Sequence, residues 1–371
     1  MVRVTAIVMI CALAAGVASA DKQAGALEQM LRKFISQGQS PDQALAEKIV
    51  AQIASDPEQA YSEIIELARR DAVNDEALAV YIWALGFTRR PEAVHDITEF
   101  LKAHRSFSVR LNAWTALAQI ATDEAGSVLA DEHAQAASVD ERAYILWKMA
   151  QMRYKPAFSM GRELLKLDPA KDIWRSIFVY ANFDRDALPA LEKSLTSKNR
   201  NERYSSVLLL GSWLVYPESA DALKKAFSKE PDPVIRRAIA GALERVASDR
   251  DALDEFMSSV AEKEPAEEVR IFVQEYIERS KQIRNGIFAA GSSKKIDRDG
   301  FQREYESLYK SAGTSGDYEA LRKASGALDE PDLLMLRRKV LLREDDSALD
   351  DYQKINEIIV TNRLIDYYSG R

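Results

Sequence analysis

Cysteine is almost missing from this chain: its single copy, Cys11, falls within the first 20 residues. That excludes a disulfide framework and leaves no thiolates for a structural zinc site. Histidine is nearly as scarce. His95, His104 and His133 lie 9 and 29 residues apart, which is not the i, i+4 spacing of a helical metal pair. They are read as surface or capping residues, and no metal or other cofactor is expected. There is no glycine-rich phosphate loop and no Gly-x-Ser-x-Gly elbow, so nucleotide and serine-hydrolase chemistry have no support. No stretch alternates long enough to predict a sheet. None of the asparagines begins an Asn-x-Ser/Thr sequon, which argues against a glycosylated secreted protein. Basic charge is also in deficit, with 51 Lys and Arg against 58 Asp and Glu. A phosphate-gripping surface needs the opposite balance, so no nucleic-acid partner is expected.

Apolar runs are short, and the longest is at the start. Arg3 precedes an apolar segment from Val4 to Ala15, followed by Ala18-Ser19-Ala20. That is the pattern of a signal peptide with a small-x-small cleavage site, too short to span a bilayer. Cleavage is expected after Ala20, leaving a cysteine-free chain suited to a periplasmic or secreted location. Ile10 is too bulky for Cys11 to sit in a lipoprotein motif.

What fills the remainder is a repeat. In its clearest copy, Asp232 caps and Pro233 opens a helix whose Ile235, Ala238, Ile239, Ala242, Leu243 and Val246 share one face. After a break at Ser248-Asp249, Ala252, Leu253, Phe256 and Met257 begin a second amphipathic helix. Anchored on Arg236, the same position recurs at Arg110, Arg142, Arg175, Arg203 and Arg270, in steps of 32, 33, 28, 33 and 34 residues. Ala46 and Leu78 extend the register without the arginine. A second column, Ala60, Ala93, Ala125, Ala157, Ala187, Ala222 and Ala252, marks the partner helix. Neither helix of a pair can bury its stripe alone, so the pairs must stack. The spacing predicts pairs over 42–70, 75–103, 107–135, 139–167, 171–196, 200–228 and 232–262, closed by a single helix over 266–283. An amphipathic helix bearing Leu27, Met30, Leu31, Phe34 and Ile35 is expected to cap the first pair, within an N-terminal segment 21–41.

Val109, Arg110, Ala113, Ala116 and Leu117, with Val234 to Ala238, Ala242 and Leu243, resemble HEAT repeats, including the short repeats of phycobilisome-lyase type. Asp186-Ala187-Leu188 and Asp251-Ala252-Leu253 add to the resemblance, which covers residues 42–283. It implies an all-α, right-handed superhelical solenoid of about seven repeats whose second helices line a concave face. It also implies a polar ladder, in which an acid near a turn pairs with the arginine. Glu230 or Asp232 is the expected partner of Arg236, and Glu264 that of Arg270; the ladder should be incomplete at Ala46, Leu78 and Arg203. HEAT-family hydroxylases bind iron through His-Glu pairs, and no histidine here precedes glutamate.

Residues 284–300, with their glycines and serines, read as a linker, and 301–371 as a C-terminal helical region with helices over 301–311, 317–327, 331–343 and 347–368. Asp297, Asp299, Gly300 and Glu306 fit half of a calcium loop, but Lys295 occupies its first ligand position, so the segment reads as a turn and helix start.

One pattern points to a binding surface. Counted from each anchor, positions +4 and +5 lie about 130° from the centre of the core face. They carry Ile82-Trp83, Trp114-Thr115, Leu146-Trp147, Val179-Tyr180 and Val207-Leu208. Either the first helix is enclosed nearly all round, or Trp83, Trp114, Trp147 and Tyr180 form an aromatic stripe that grips a protein partner. The reading carried forward is the second, in a non-enzymatic exported scaffold. The alternative is an enzyme, or an enzyme's accessory subunit, acting on an envelope peptide or glycan.

Overall fold

The computed structural model describes residues 25–38, 42–288, 330–341 and 348–369. Every regular element among them is helical, and they divide into two compact units, one ending at Ala157 and the next starting at Phe158. The division falls inside the pair expected over 139–167. The segment expected to be a signal peptide, the calcium-like segment and the helices expected over 301–311 and 317–327 lie outside the described residues.

The first unit holds α1 (Ala26–Ser36), α2 (Gln43–Ser55), α3 (Pro57–Arg70), α4 (Asp75–Thr88), α5 (Glu92–Ala103), α6 (Phe107–Ile120), α7 (Asp123–Gln135) and α8 (Val139–Gln151). First helices pack on first helices: α2 on α4, α4 on α6, α6 on α8. Helix α1 covers α2, α3 and α4, as a cap should, burying Leu27, Leu31 and Phe34. Glu28 ties it down further through Arg70, at 2.6 Å.

The division falls after the first residue of α9 (Ala157–Gly161), and the second unit continues through α10 (Pro169–Phe183), α11 (Leu188–Ser194), α12 (Arg200–Leu208), α13 (Ala220–Phe227), α14 (Pro233–Val246), α15 (Arg250–Lys263) and α16 (Glu267–Phe288). Here α10 packs on α12, α12 on α14, and α14 on α16. Helix α16 runs to Phe288, past the point where the linker was expected to begin. A helical hairpin, α17 (Glu330–Leu341) and α18 (Ala348–Ser369), folds back onto α10 and the segment after α12 instead of extending the stack beyond α16.

Local chemistry explains where the helices start. Four residues before six of the eight anchors, all but Arg175 and Arg270, stand Asp42, Asn74, Ser106, Ser138, Asn199 and Asp232. All but Ser106 accept a hydrogen bond from a backbone N–H of the first turn, each such cap being worth about 1 kcal/mol. Close approach is set eight residues after the anchor. A Cβ on Gly86 would lie 2.7 Å from the Ala116 Cα, and one on Gly211 at the same distance from the Ala242 Cα. Ala116 and Ala242 both stand six residues after their own anchors, so a glycine–alanine contact recurs in both units. Larger side chains there would push the helices apart.

The polar ladder exists, in a different register from the one expected. Arg236 grips Glu264 with two hydrogen bonds, at 2.6 and 3.0 Å, and Arg203 grips Glu230 at 2.7 and 2.9 Å. Each arginine therefore reaches forward to the acid before the next pair. It takes no carboxylate from its own turn; there Arg236 donates to the Glu230 and Pro231 carbonyls, both at 2.9 Å. Arg270 likewise bonds the Glu264 and Pro265 carbonyls at 2.8 Å. The rung at Arg203, expected to be broken, is complete. Arg110 also reaches forward, but to Glu141 inside the first turn of α8, at 3.1 and 3.3 Å, and not to a residue at the ladder position before the pair.

Candidate interaction site

The aromatic residues expected to form a stripe are not a surface. Trp114 is 0 % exposed, with its indole N–H donating to Glu132 at 3.1 Å. Trp147 is 6 % exposed and meets the Tyr144 ring edge-on at 5.5 Å. Tyr180, in the second unit, is 1 % exposed, and burial pushes its phenol pKa up. Only Trp83 keeps partial access to water, and it is stacked on Phe34 of the capping helix at 5.3 Å and touches Phe87 edge-on. The stripe is corrected to core for a geometric reason. A first helix is packed against its partner and against the first helices before and after it, so apolar residues are needed nearly all round. In α4 this buries Ala77 to Ile82, Ala84 to Gly86, and Thr88.

Buried carboxylates are held by arginine. Glu132 meets Arg105 at 3.1 Å, Glu202 meets Arg162 at 2.5 Å and also accepts from Ser197, and Glu230 and Glu264 are the ladder acids. Burial works to raise the pKa of Glu202 and Glu264, but hydrogen bonds from Arg162 and Ser197, and from Arg236 and the Ala266 N–H, outweigh it and leave both lowered. Acids held ionised in this way are structural partners and are not poised to donate a proton. Among the described residues no three His, Cys, Asp or Glu side chains are grouped so as to hold a metal ion. His104 is occupied with Asp75 at 3.0 Å. No described helix is long and apolar enough to cross a membrane.

The second unit does contain one elaborate polar site, where the C-terminal hairpin is seated. Helix α10 ends at Asp184, whose backbone is left-handed at φ 57° and ψ −130°. Non-glycine residues adopt φ > 0 at a cost that the surroundings must supply. One repeat on, Leu209–Trp213 widens into a π turn, closed by a bond from the Leu214 N–H to the Leu209 carbonyl at 2.7 Å. That widening disturbs the regular ladder and leaves the Ser212 and Trp213 carbonyls to side-chain donors. Asn356 donates to both of them at 3.1 Å, and the Tyr352 hydroxyl donates to Trp213 at 2.7 Å. The Tyr352 ring also stacks on Trp213 at 5.6 Å. Arg363 donates to the Val215 carbonyl while paired to Glu330 at 2.5 and 2.8 Å. At the end of α14, Arg245 meets Glu357 at 2.7 Å.

Arg337 stands at the centre and is 1 % exposed. Its guanidinium donates to Asp184 at 2.7 Å, to the Tyr216 hydroxyl at 2.6 Å and to the Asn356 side-chain carbonyl at 2.7 Å. It also lies over the Tyr216 and Tyr352 rings, 5.0 and 5.2 Å from their centroids. Tyr216 in turn donates its own O–H to Asp184 at 2.5 Å. Burial raises the pKa of both phenols, so they remain donors. None of these residues was singled out from the sequence. A signal was present: Arg337 stands between Leu333 and Val340 at i, i+4, i+7 spacing, and Asn356 between Tyr352 and Ile359, all four apolar neighbours buried. A polar residue at such a seam position names a specific partner.

The family model for HEAT repeats matches residues 188–278, from α11 into α16, and the HEAT-like character read from the residues is shown over that span. No curated protein matches the sequence. Among solved structures, the complex of CpcE and CpcF of phycocyanin lyase from Nostoc sp. PCC7120 is similar at 16% identity, covering 72% of this chain and 99% of that one, with a TM-score of 0.32. A de novo designed 16-helix transmembrane nanopore is similar at 16% identity, covering 86% and 95%, with a TM-score of 0.13. Similarity at these scores carries no argument about this chain.

Proposed function

We propose that this protein is a non-enzymatic scaffold that binds another protein through its helical repeats, and that it works outside the cytoplasm after removal of residues 1–20. The observation that carries the first part is the seated hairpin: the ends of α10, of the π turn after α12, and of α14 together hold a helical segment by side-chain contacts. HEAT repeats over 188–278 agree with an interaction role. The buried acids Glu132, Glu202, Glu230 and Glu264 are tied to arginines, which supports binding over turnover. The second part rests on Arg3, the Val4–Ala15 run and Ala18-Ser19-Ala20.

The test is photo-crosslinking in intact cells, with the reactive residue placed in turn at the half-exposed Phe107 and Val234. A discrete protein adduct at either position supports the scaffold; the absence of any adduct at both, with the protein folded and abundant, overturns it. Mass spectrometry of the same protein should find Asp21 at its N-terminus, and intact Met1 on the soluble chain would refute export.

A further inference from the structure

Two local features converge on a single ligand in the second unit. Helix α12 breaks into a π turn at Leu209–Trp213, and the buried Tyr216 hydroxyl donates to the partly exposed Asp184 carboxylate at 2.5 Å, both oxygens accepting from Arg337. Helix α14, the corresponding helix one repeat later, has no π turn, whereas the positive φ of Asp184 has counterparts at Arg89, Ala121 and Arg153, at or just past the ends of α4, α6 and α8. π turns concentrate where a protein holds something. Here the thing held is Arg337.

Seen from the repeats, the seat consists largely of acceptors. It offers the Asp184 carboxylate, the Tyr216 oxygen and the carbonyls of Ser212, Trp213 and Val215. Seen from the hairpin, the matching groups are donors: two arginines, an asparagine amide and a tyrosine hydroxyl. A reversed pair, Arg245 with Glu357, closes one edge and fixes direction. This is the complementarity of a recognition site, with a desolvated arginine at its centre and an aromatic stack beside it. The hairpin also carries its own packing, because α17 and α18 pack against each other and bury Leu333, Val340, Ile355 and Ile359.

We propose that the surface formed by Asp184, Ser212 to Tyr216 and Arg245 is a recognition site for an arginine-bearing helical segment. In this chain its own α17–α18 hairpin fills the site, and a protein partner presenting the same chemistry takes it when the hairpin leaves. This deepens the scaffold reading by assigning the partner's contact chemistry, and it rests on that reading.

The experiment uses the full chain with a protease site inserted between Phe288 and Glu330, cut after folding. The probe is a fluorescent synthetic peptide of residues 330–369 added in excess. The expected result is saturable exchange, with one labelled peptide bound per chain and the original fragment released. A peptide carrying Arg337→Ala should bind at least about thirtyfold more weakly, the usual minimum for truncating one partner of a buried, hydrogen-bonded charge pair. Asn356→Ala should weaken binding by a smaller factor. Because these changes are in the peptide, the folding of the seat is not affected by them. If the fragment never exchanges, or if the Arg337→Ala peptide competes as well as the unaltered one, the recognition site is refuted. The scaffold reading then still stands on the crosslinks. Peptide exchange without any crosslinked partner would instead overturn the scaffold reading's protein partner and, with it, the partner half of this proposal.

Discussion

Removing either member of the Arg236–Glu264 rung should cost more than removing both. Glu264 has a side chain only 4% exposed, and it accepts from Arg236 at 2.6 and 3.0 Å and from the Ala266 N–H at 3.0 Å. With Arg236→Met the carboxylate stays buried and keeps only the backbone donor. With Glu264→Met the guanidinium, 12% exposed, keeps its two carbonyl acceptors and loses its counter-charge. Breaking a buried pair from one side costs about 3–5 kcal/mol, whereas replacing both members by apolar residues of similar volume is often neutral. The arginine's bonds to the Glu230 and Pro231 carbonyls are lost in both the single Arg236 variant and the double variant, so they cancel in the cycle.

The double variant Arg236→Met/Glu264→Met should therefore fall short of the sum of the singles by more than the cost of either single, at least about 3 kcal/mol, the top of the range of coupling between contacting residues. Two compact units need not unfold together, so a global melting curve is the wrong readout. Native-state hydrogen exchange of the amides in α14 to α16 reports the local free energy directly. If the two singles add to the double within about 0.5 kcal/mol, the rung is an exposed ion pair in effect and the ladder argument fails.

Other outcomes follow from the same structure. Trp114→Ala should destabilise the first unit by about 3–5 kcal/mol, because it empties a fully buried site and strips Glu132 of a donor; exchange protection in α6 that is unchanged would restore a surface role for the ring. Gly86→Val should cost about 1–3 kcal/mol by forcing α4 off the Ala116 backbone, and unchanged stability would mean that the helices are less closely apposed. Glu202 and Glu264 have folded pKa values below the ordinary 4.5, so their stabilisation is fully present above that value and is lost as the pH falls through the lower folded values. Exchange protection in α12 to α16 should accordingly weaken on acidification below about pH 4.5, and a Glu202→Gln/Glu264→Gln variant should lose most of that dependence.

The repeat was legible because stacking imposes the same demand on every copy. A first helix needs an apolar residue at the same turn each time, and the arginine and alanine columns recorded that spacing well enough to place α4 to α7 within a residue or two. Of the caps four residues before six anchors, only Asp232 was read from the sequence, although the column accounts for those helix starts better than the arginines do. The ladder was misassigned by one rung for a local reason. Glu230 and Glu264 stand near two arginines each, one six residues ahead and one 27 or 28 behind, and spacing along the chain does not say which one the carboxylate faces. The structure shows that the nearer arginine takes the backbone carbonyl and the farther one the carboxylate.

The aromatic residues and the hairpin failed to be read for opposite reasons. Angles around a single helix treat the side away from its core face as open, and within a stack that side is the neighbouring repeat; Trp114 was placed on a surface that the packing of α6 against α4 and α8 removes. Arg337 meets Asp184 across 153 residues of sequence, so no window reveals the pair. Its trace was the cost it would incur alone. A guanidinium on the apolar seam of α17 is unfavourable unless acceptors wait on the other side, and they are supplied by Asp184, Tyr216 and a π turn that costs α12 its regular bonds. The buried donors and the freed carbonyls are each unfavourable alone, and together they satisfy one another. The hairpin's donors and the acceptors of the repeat ends match group for group, which is why the contact reads as recognition and not as incidental packing of a C-terminal segment.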